Sequence, residues 1–574
     1  MERLKYFESL IDEQYNSIEM TSNNINLETW RMLTVYEDYM QFHLHAFLKR
    51  IRHSQRIIDN AYLVSELENH KLTLKMYLSL IYKKCKEKSP CKKESYFNGK
   101  NYIQISKSIK LINTYMQLNW NVISVYQNLA EFKDSKIRFI FRNHVDYCQS
   151  RMLQQYSRSD DSNLSKEIQQ SSLSLLLGYI VLGVNSDIYQ NCLEVSSVLG
   201  HTISYKFDQD IIDSIYQKIL NSQSMDLPEN WRFPWSSVSD FRRFFNSLNA
   251  ICIFHFICIK ASAEHYKIKG GGVDQRVISL REEDLIDRIN RISGLSSPVI
   301  TNIMKALTYG FNTSNPDPAL QPLFVNNGEV LIAPLLITTL NYDRNALSLY
   351  LRVDDKGFSK ASESFEVNMT QKFVGSIPER YKIMLNFHLP NSSGGEIDAA
   401  LIDIETKTIL VYELKWMLTP SDPNEVFYKI KECRKKVVQA EKKLFHAKMH
   451  IDFILDKLGI KEQDTTSWAV CAIVLIEGFS GINYPDMPQI KMLPSWVHEK
   501  VITGSHSLRE FSGFILSDSW LPKERMHYKK IKHNITFAGK QISVDGMELT
   551  NIDDYLHHYI PTKLIEYRSQ TNHD

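Results

Sequence analysis

Helix-breaking residues are nearly missing from the first 227 positions of this 574-residue chain, which hold one proline, Pro90, and four glycines. Proline removes an amide donor and clashes with the preceding turn, and glycine carries a backbone-entropy cost, so their scarcity predicts helix throughout this stretch. The chain also lacks any CxxC pair. Its cysteines, Cys85, Cys91, Cys148, Cys192, Cys252, Cys258, Cys433 and Cys471, are scattered, which argues against a disulfide scaffold and for free thiols in a reducing cytoplasm. Cys85 and Cys91 have no Cys or His pair at zinc spacing to join them. The longest apolar runs, Leu173 to Val184 and Ala250 to Ala261, reach about a dozen residues against the roughly 20 that a membrane helix needs, so both read as buried helix or strand and no membrane association is expected. No secretory signal opens the chain, since Met1-Glu2-Arg3-Leu4-Lys5 leads into a charged amphipathic segment. A P-loop and a recognisable methylase motif are lacking too. The formal net charge is only +2, so partners are to be sought in local patches of charge.

What is present divides at three places, and the reading is an α+β multidomain chain. Residues 1–268 form an all-α module, with Trp30, Leu33, Tyr36, Tyr39 and Phe42 recurring at helical spacing as core positions. Gly270-Gly271-Gly272 marks a linker or hinge. Residues 273–345 carry a helix at Glu283 to Ile289, a turn at Ser293 to Ser296, a second helix from Pro298 to Tyr309, and a hairpin turning at Asn327-Gly328. That is the order of a winged helix, but the second helix bears only Lys305 as a base, so a structural connector is favoured over a DNA reader. Residues 350–490 alternate helix and strand as an α/β sandwich with a mixed central sheet, and residues 491–574 extend it.

The chemistry concentrates in that third segment. Gly394-Gly395-Glu396-Ile397-Asp398 is followed, after fourteen intervening residues, by Glu413-Leu414-Lys415 at the end of an apolar run. The hydrophobic stretches between them, Ala399 to Asp403 and Ile409 to Tyr412, predict two adjacent strands joined by a tight turn. Side chains alternate along a strand, so Glu396 and Asp398 share a face, as do Glu413 and Lys415. Carboxylates and an amine can then converge at one end of the hairpin. Carboxylate oxygens suit a hard divalent ion such as Mg²⁺, which polarises a phosphate and activates water.

This arrangement resembles the PD-(D/E)xK nuclease superfamily, the restriction-endonuclease-like fold, over the C-terminal part of the chain only. Its signature is an acid on one strand and (D/E)-x-K on the next, matched here by Asp398 with Glu413-Leu414-Lys415. The resemblance implies Asp398 and Glu413 as ligands of Mg²⁺ or Mn²⁺, the Leu414 carbonyl as a further ligand, Glu396 as an extra acid beside the metal, and Lys415 as the residue that positions water. It also implies an acid on the first core helix, assigned to Glu366, and a Gln or Lys on the helix that follows, assigned to Gln439, with Lys435, Lys436 and Lys442 as alternatives. Asp422-Pro423-Asn424-Glu425 reads as the start of that helix, which extends to about Gly459.

Charge supports a polyanionic partner. From Lys429 to Lys448 eight bases stand against two glutamates, and from Lys71 to Lys100 nine lysines stand against two; a third basic stretch spans Lys523 to Lys532. Each reads equally as a solvated face, except that the first lies on the helix after the motif, where a phosphate backbone must pass. Lys431, Arg434, Lys435, Lys436, Lys442 and Lys443 are the candidate nucleic-acid contacts there. The expectation is a cytoplasmic, metal-dependent endonuclease acting on DNA ahead of RNA, with the helical module joining a second copy or a partner protein, in the manner of bacterial antiviral or restriction effectors. The alternative is a non-catalytic nucleic-acid-binding protein that keeps the fold as a scaffold.

Overall fold

The computed structural model describes residues 2–51, 58–88, 97–133, 137–141, 175–176, 178, 187–200, 202–221, 225, 227–228, 230–268, 275–326, 328–390, 396–420, 423–461, 464–479, 487–550 and 555–571. Gly270 to Gly272, Asn327, Gly394, Gly395, Asp422, Cys91, Cys148 and most of Leu173 to Val184 lie outside the described residues. The chain divides into two compact units, residues 1–119 with 162–361 and residues 120–161 with 362–574. The division falls within two helices, Gly99–Tyr126 and Asp355–Ser376.

The first unit is built around the helix Val238–His265, whose residues from Phe244 to Ser262 are buried on every side. A helix apolar all round belongs in a core. Among the described residues it is the one helix long and apolar enough to cross a membrane by length and composition, and its apolar window is wholly buried. The sequence shows only a dozen-residue run there, because Arg242, Arg243 and Asn246 interrupt the apolar pattern. Arg242 is held by Asp343, with Nε 3.2 Å from Oδ1, so its charge is paired as burial requires.

Residues 1–268 are not all helical, which corrects the expected all-α module. Hairpins form at Ser196–Leu199 with Thr202–Tyr205 and at Arg232–Phe233 with Ser236–Ser237. The strands Ala130–Lys133 and Arg138–Phe141 pair in the second unit. Strands of two to four residues are too short to print a two-residue period. Gly200, at φ 63°, makes one of the turns. Trp30, Leu33 and Tyr36 are buried, but Phe42 is 69% exposed and is no core residue. After residue 275, helices Glu282–Ser293 and Ser297–Leu307 meet at Gly294, and a three-stranded sheet forms from Ile278–Arg281, Glu329–Ile332 and Phe324–Asn326. These elements group with the first unit.

The second unit contains helix α1 (Asp355–Ser376) from Ser362 onward, strands β1 (Lys382–His388), β2 (Glu396–Asp403) and β3 (Thr408–Trp416), helix α2 (Pro423–Met449), strands β4 (Ala469–Glu477) and β5 (Ile490–Pro494), and helices α3 (Ser495–Gly504) and α4 (Leu508–Leu516). The strands form one five-stranded sheet in sequence order. β1, β2 and β3 are antiparallel, and β3, β4 and β5 parallel. Between β2 and β3 a four-residue turn reverses direction, whereas α2 carries the chain back so that β4 starts at the same end as β3. Apolar residues of β2, β3 and β4, including Ala400, Ile402, Ile409, Val411, Ala472 and Val474, form one buried cluster with Cys433, Val437, Ala440 and Leu444 of α2. On the opposite side of β3, Tyr412 packs edge-on against Phe373 of α1, and its Oη lies 2.9 Å from Nε2 of His498 on α3. Burial pushes the His498 imidazole down to about 3, so this contact is made by a neutral ring. The expected helix from Asp422 to Gly459 is two helices, α2 and Ile451–Lys457, with Gly459 at φ 70° after the second. The ribbon Tyr528–Phe537 with Lys540–Leu549 takes most of the third basic stretch into its first strand.

Candidate active site

β2 and β3 pair from Asp403↔Thr408 to Ala399↔Tyr412. Continued past its end, that register would set Asp398 against Glu413 one step on and Glu396 against Lys415 three steps on. The hairpin ladder ends at Ala399↔Tyr412 while β3 continues beside β4 as far as Trp416↔Glu477. The strands therefore part at the motif, and the polar side chains occupy the opening.

Asp398 closes the fork. Its Oδ2 accepts a hydrogen bond from the Leu414 N–H at 2.8 Å, satisfying a backbone donor that has lost its strand partner. Its Oδ1 lies 2.8 Å from the ammonium of Lys443 on α2. Glu413 is 3% exposed and is held by two lysines of the same helix. Oε1 accepts from Lys436 Nζ at 2.6 Å, and Oε2 is in contact with Lys443 Nζ. One ammonium thus bridges both carboxylates. Burial pulls the Lys443 pKa down, but the charges of Glu413 and Asp398 and its hydrogen bonds to them outweigh burial, and the net shift is upward. Lys443 is therefore a cation at neutral pH, as a side chain with only 7% exposure must be paired to remain.

Lys415 is paired at 2.7 Å with Glu366 of α1, whose side chain is half exposed. The stacked rings of Phe365 and Trp416, 4.0 Å between centroids, fix α1 against the end of β3 beside that pair. Glu396 is exposed. Gln439 is exposed as well and hydrogen-bonds to neither carboxylate, although it lies one turn from Lys436 and Lys443. Gly478 follows β4 at φ 85°, and a Cβ there would stand 1.9 Å from the Met417 carbonyl oxygen, so only glycine lets the chain cross the end of β3.

Helix α2 sorts its bases into two stripes. Lys436 and Lys443, seven residues apart, turn onto the carboxylates. Lys431, Lys435 and Lys442, also at helical spacing, are exposed. Lys431 lies 4.3 Å over the Phe427 ring. Arg434 is half-buried. The sequence assigns all six bases to phosphate contact, whereas Lys436 and Lys443 are counter-ions of the carboxylates. A signal for this role exists: Lys436 and Lys443 flank Val437, Ala440 and Leu444, the buried face of the helix, so a charge at those positions needs a buried partner.

Among the described residues no group of three or more His, Cys, Asp and Glu side chains gathers as a metal cage. The acids between β2, β3 and α2 come as a pair, and the pair still passes a test of fit. Oδ1 of Asp398 and Oε2 of Glu413 close on a single cation, the Lys443 ammonium. Those two oxygens are the ones that would hold a hard divalent ion.

Comparisons with protein families, with curated proteins and with solved structures return no match for this chain.

Proposed function

We propose that the second unit is a divalent-metal-dependent nuclease that hydrolyses phosphodiester bonds, with DNA ahead of RNA as substrate. The observation that carries this reading is the convergence of Asp398 and Glu413 on one cation position, with Lys415 two residues along the same strand. The order helix with acid, strand with acid, strand with acid-x-Lys, basic helix is also that of the PD-(D/E)xK motif the sequence resembles.

A bound Mg²⁺ or Mn²⁺ supplies Lewis-acid polarisation of the phosphate and a more acidic water. Asp398 and Glu413 would hold the ion. Asp398 is itself oriented by the Leu414 N–H, which leaves Oδ1 directed at the shared position. Lys415 orients the attacking water and offsets charge growing on the phosphate; Glu366 holds the Lys415 ammonium at the strand end until substrate arrives. The exposed stripe of Lys431, Lys435 and Lys442 tracks the backbone of the nucleic acid by charge, without reading sequence.

The test is incubation of the wild type and Lys415→Ala with supercoiled plasmid, linear DNA and RNA in Mg²⁺, Mn²⁺ or EDTA. Cleavage that requires metal and falls at least about 100-fold in the variant, with binding retained, is expected for a group acting in the transition state. A second reading has an observation of its own. Two lysines neutralise the two carboxylates, as they would in a scaffold that holds nucleic acid without cutting it. That reading predicts retention of DNA in EDTA and no cleavage by either protein.

A further inference from the structure

Lys443 does something that neither the motif nor the basic character of α2 requires. It lies on the buried face of its helix, is 7% exposed, and places one ammonium against Asp398 Oδ1 at 2.8 Å and against Glu413 Oε2. Lys436 places a second ammonium on Glu413 Oε1 at 2.6 Å. Two negative charges meet two positive charges, so the site is balanced before any metal enters. A divalent ion brings the same charge of two to the same oxygens. It cannot be added on top of both lysines, because that would put two surplus positive charges into a buried space where like charges repel strongly. Of the two, only Lys443 touches both carboxylates and so occupies the shared position. Lys436 lies to the side, on an oxygen that Lys443 does not use.

We infer that Lys443 is an internal counter-ion that holds the metal position between Asp398 and Glu413, and that divalent-metal binding proceeds by its displacement. The inference rests on the metal-dependent reading of this site. The four-carbon stem of Lys443 lets the ammonium leave the carboxylates without moving α2. Displacement takes the ammonium off the carboxylate pair and toward water, so that the metal does not share the buried space with it. Lys443 thereby sets how much metal the protein needs: a large share of the intrinsic affinity of the carboxylate pair goes into replacing a cation already bound.

The experiment is titration of EDTA-treated full-length protein with Mn²⁺ by calorimetry, with thermal melting in the presence and absence of Mn²⁺ as a second readout. Wild type, Lys443→Met, Lys436→Met and Asp398→Asn are compared. Lys443→Met removes the competing charge and keeps the stem, and it is expected to bind Mn²⁺ at least about tenfold more tightly than wild type. Its melting temperature should be lower than wild type without metal and should rise more on adding it, since an ion that binds only the folded state stabilises in proportion to its affinity. Lys436→Met should gain less, and Asp398→Asn should lose binding. If Lys443→Met does not fold without metal, Lys443→Gln, which still donates hydrogen bonds but carries no charge, takes its place with the same expected gain. Mn²⁺ binding by wild type that is unchanged or weaker in the Lys443 variants overturns the displacement and leaves the metal site standing. Absence of Mn²⁺ binding at millimolar concentration in wild type and every variant overturns the metal site itself, and this inference with it.

Discussion

Glu37 in the first unit and Glu413 in the second are 2% and 3% exposed, yet their surroundings differ in kind. Glu37 accepts hydrogen bonds from the N–H groups of Leu335 at 2.8 Å and Leu336 at 3.1 Å. Burial pushes its carboxyl up to about 8, and neither these bonds nor the charge of Arg276 offsets burial. At Glu413 two ammonium groups stand in contact with the carboxylate oxygens. Backbone N–H groups satisfy the geometry of a carboxylate while leaving its charge largely unbalanced. Lysines supply geometry and charge together. Glu413 has the second kind of environment where the strands part, and in the first unit the buried Asp317 has it too, between Lys75 and Arg352.

The same substitution at the two positions breaks or sharpens this contrast. Glu413→Gln leaves Lys443 and Lys436 facing a neutral amide, and removing one side of a buried ion cluster should cost about 3 kcal/mol, measured by urea unfolding of the full chain at pH 7. An equal or greater stability for this variant would show that the lysines do not depend on Glu413. Glu37→Ala strands two buried N–H groups and should cost about 2 kcal/mol. Glu37→Gln keeps an acceptor and replaces a group that is already mostly neutral at pH 7, so its cost should stay under about 1 kcal/mol.

A pH series on that last variant isolates the charge. The Glu37 carboxyl is ionised above 4.5 in the unfolded chain but remains protonated to about 8 in the folded unit. The folded state holds the extra proton across that interval, so the contribution of Glu37 is greatest below pH 4.5 and is lost as pH rises through 8. The difference in stability between wild type and Glu37→Gln should therefore shift against the wild type between pH 4.5 and 8. A difference independent of pH would mean that Glu37 is ionised when folded.

Much of the second unit is legible in the sequence because its signals are local. The hydrophobic stretches on either side of Glu405-Thr406-Lys407 set the β2–β3 hairpin, and β3 runs past the apolar run Ile409 to Tyr412 as far as Trp416. The helix, strand and motif order singles out Glu366 and Lys415, as an acid facing a metal and a base positioning water, but not the ion pair they form across 49 residues. Lys443 is different, since it meets Asp398 across 45 residues through the rotation of α2 about its axis. That rotation is fixed by which residues face the sheet, and Lys-rich composition hides it. The hairpins of the first unit are lost for another reason: two to four residues cannot outweigh a helical background.

The Leu414 amide gives the fork a use as a spectroscopic probe. Its proton is held by the Asp398 carboxylate where the hairpin ladder has already ended, so its exchange with solvent and its chemical shift report on one side chain. In an isotope-labelled sample this single resonance would follow Asp398 as metal, nucleic acid or a mutation at Lys443 pulls on it, with no chromophore and no turnover required.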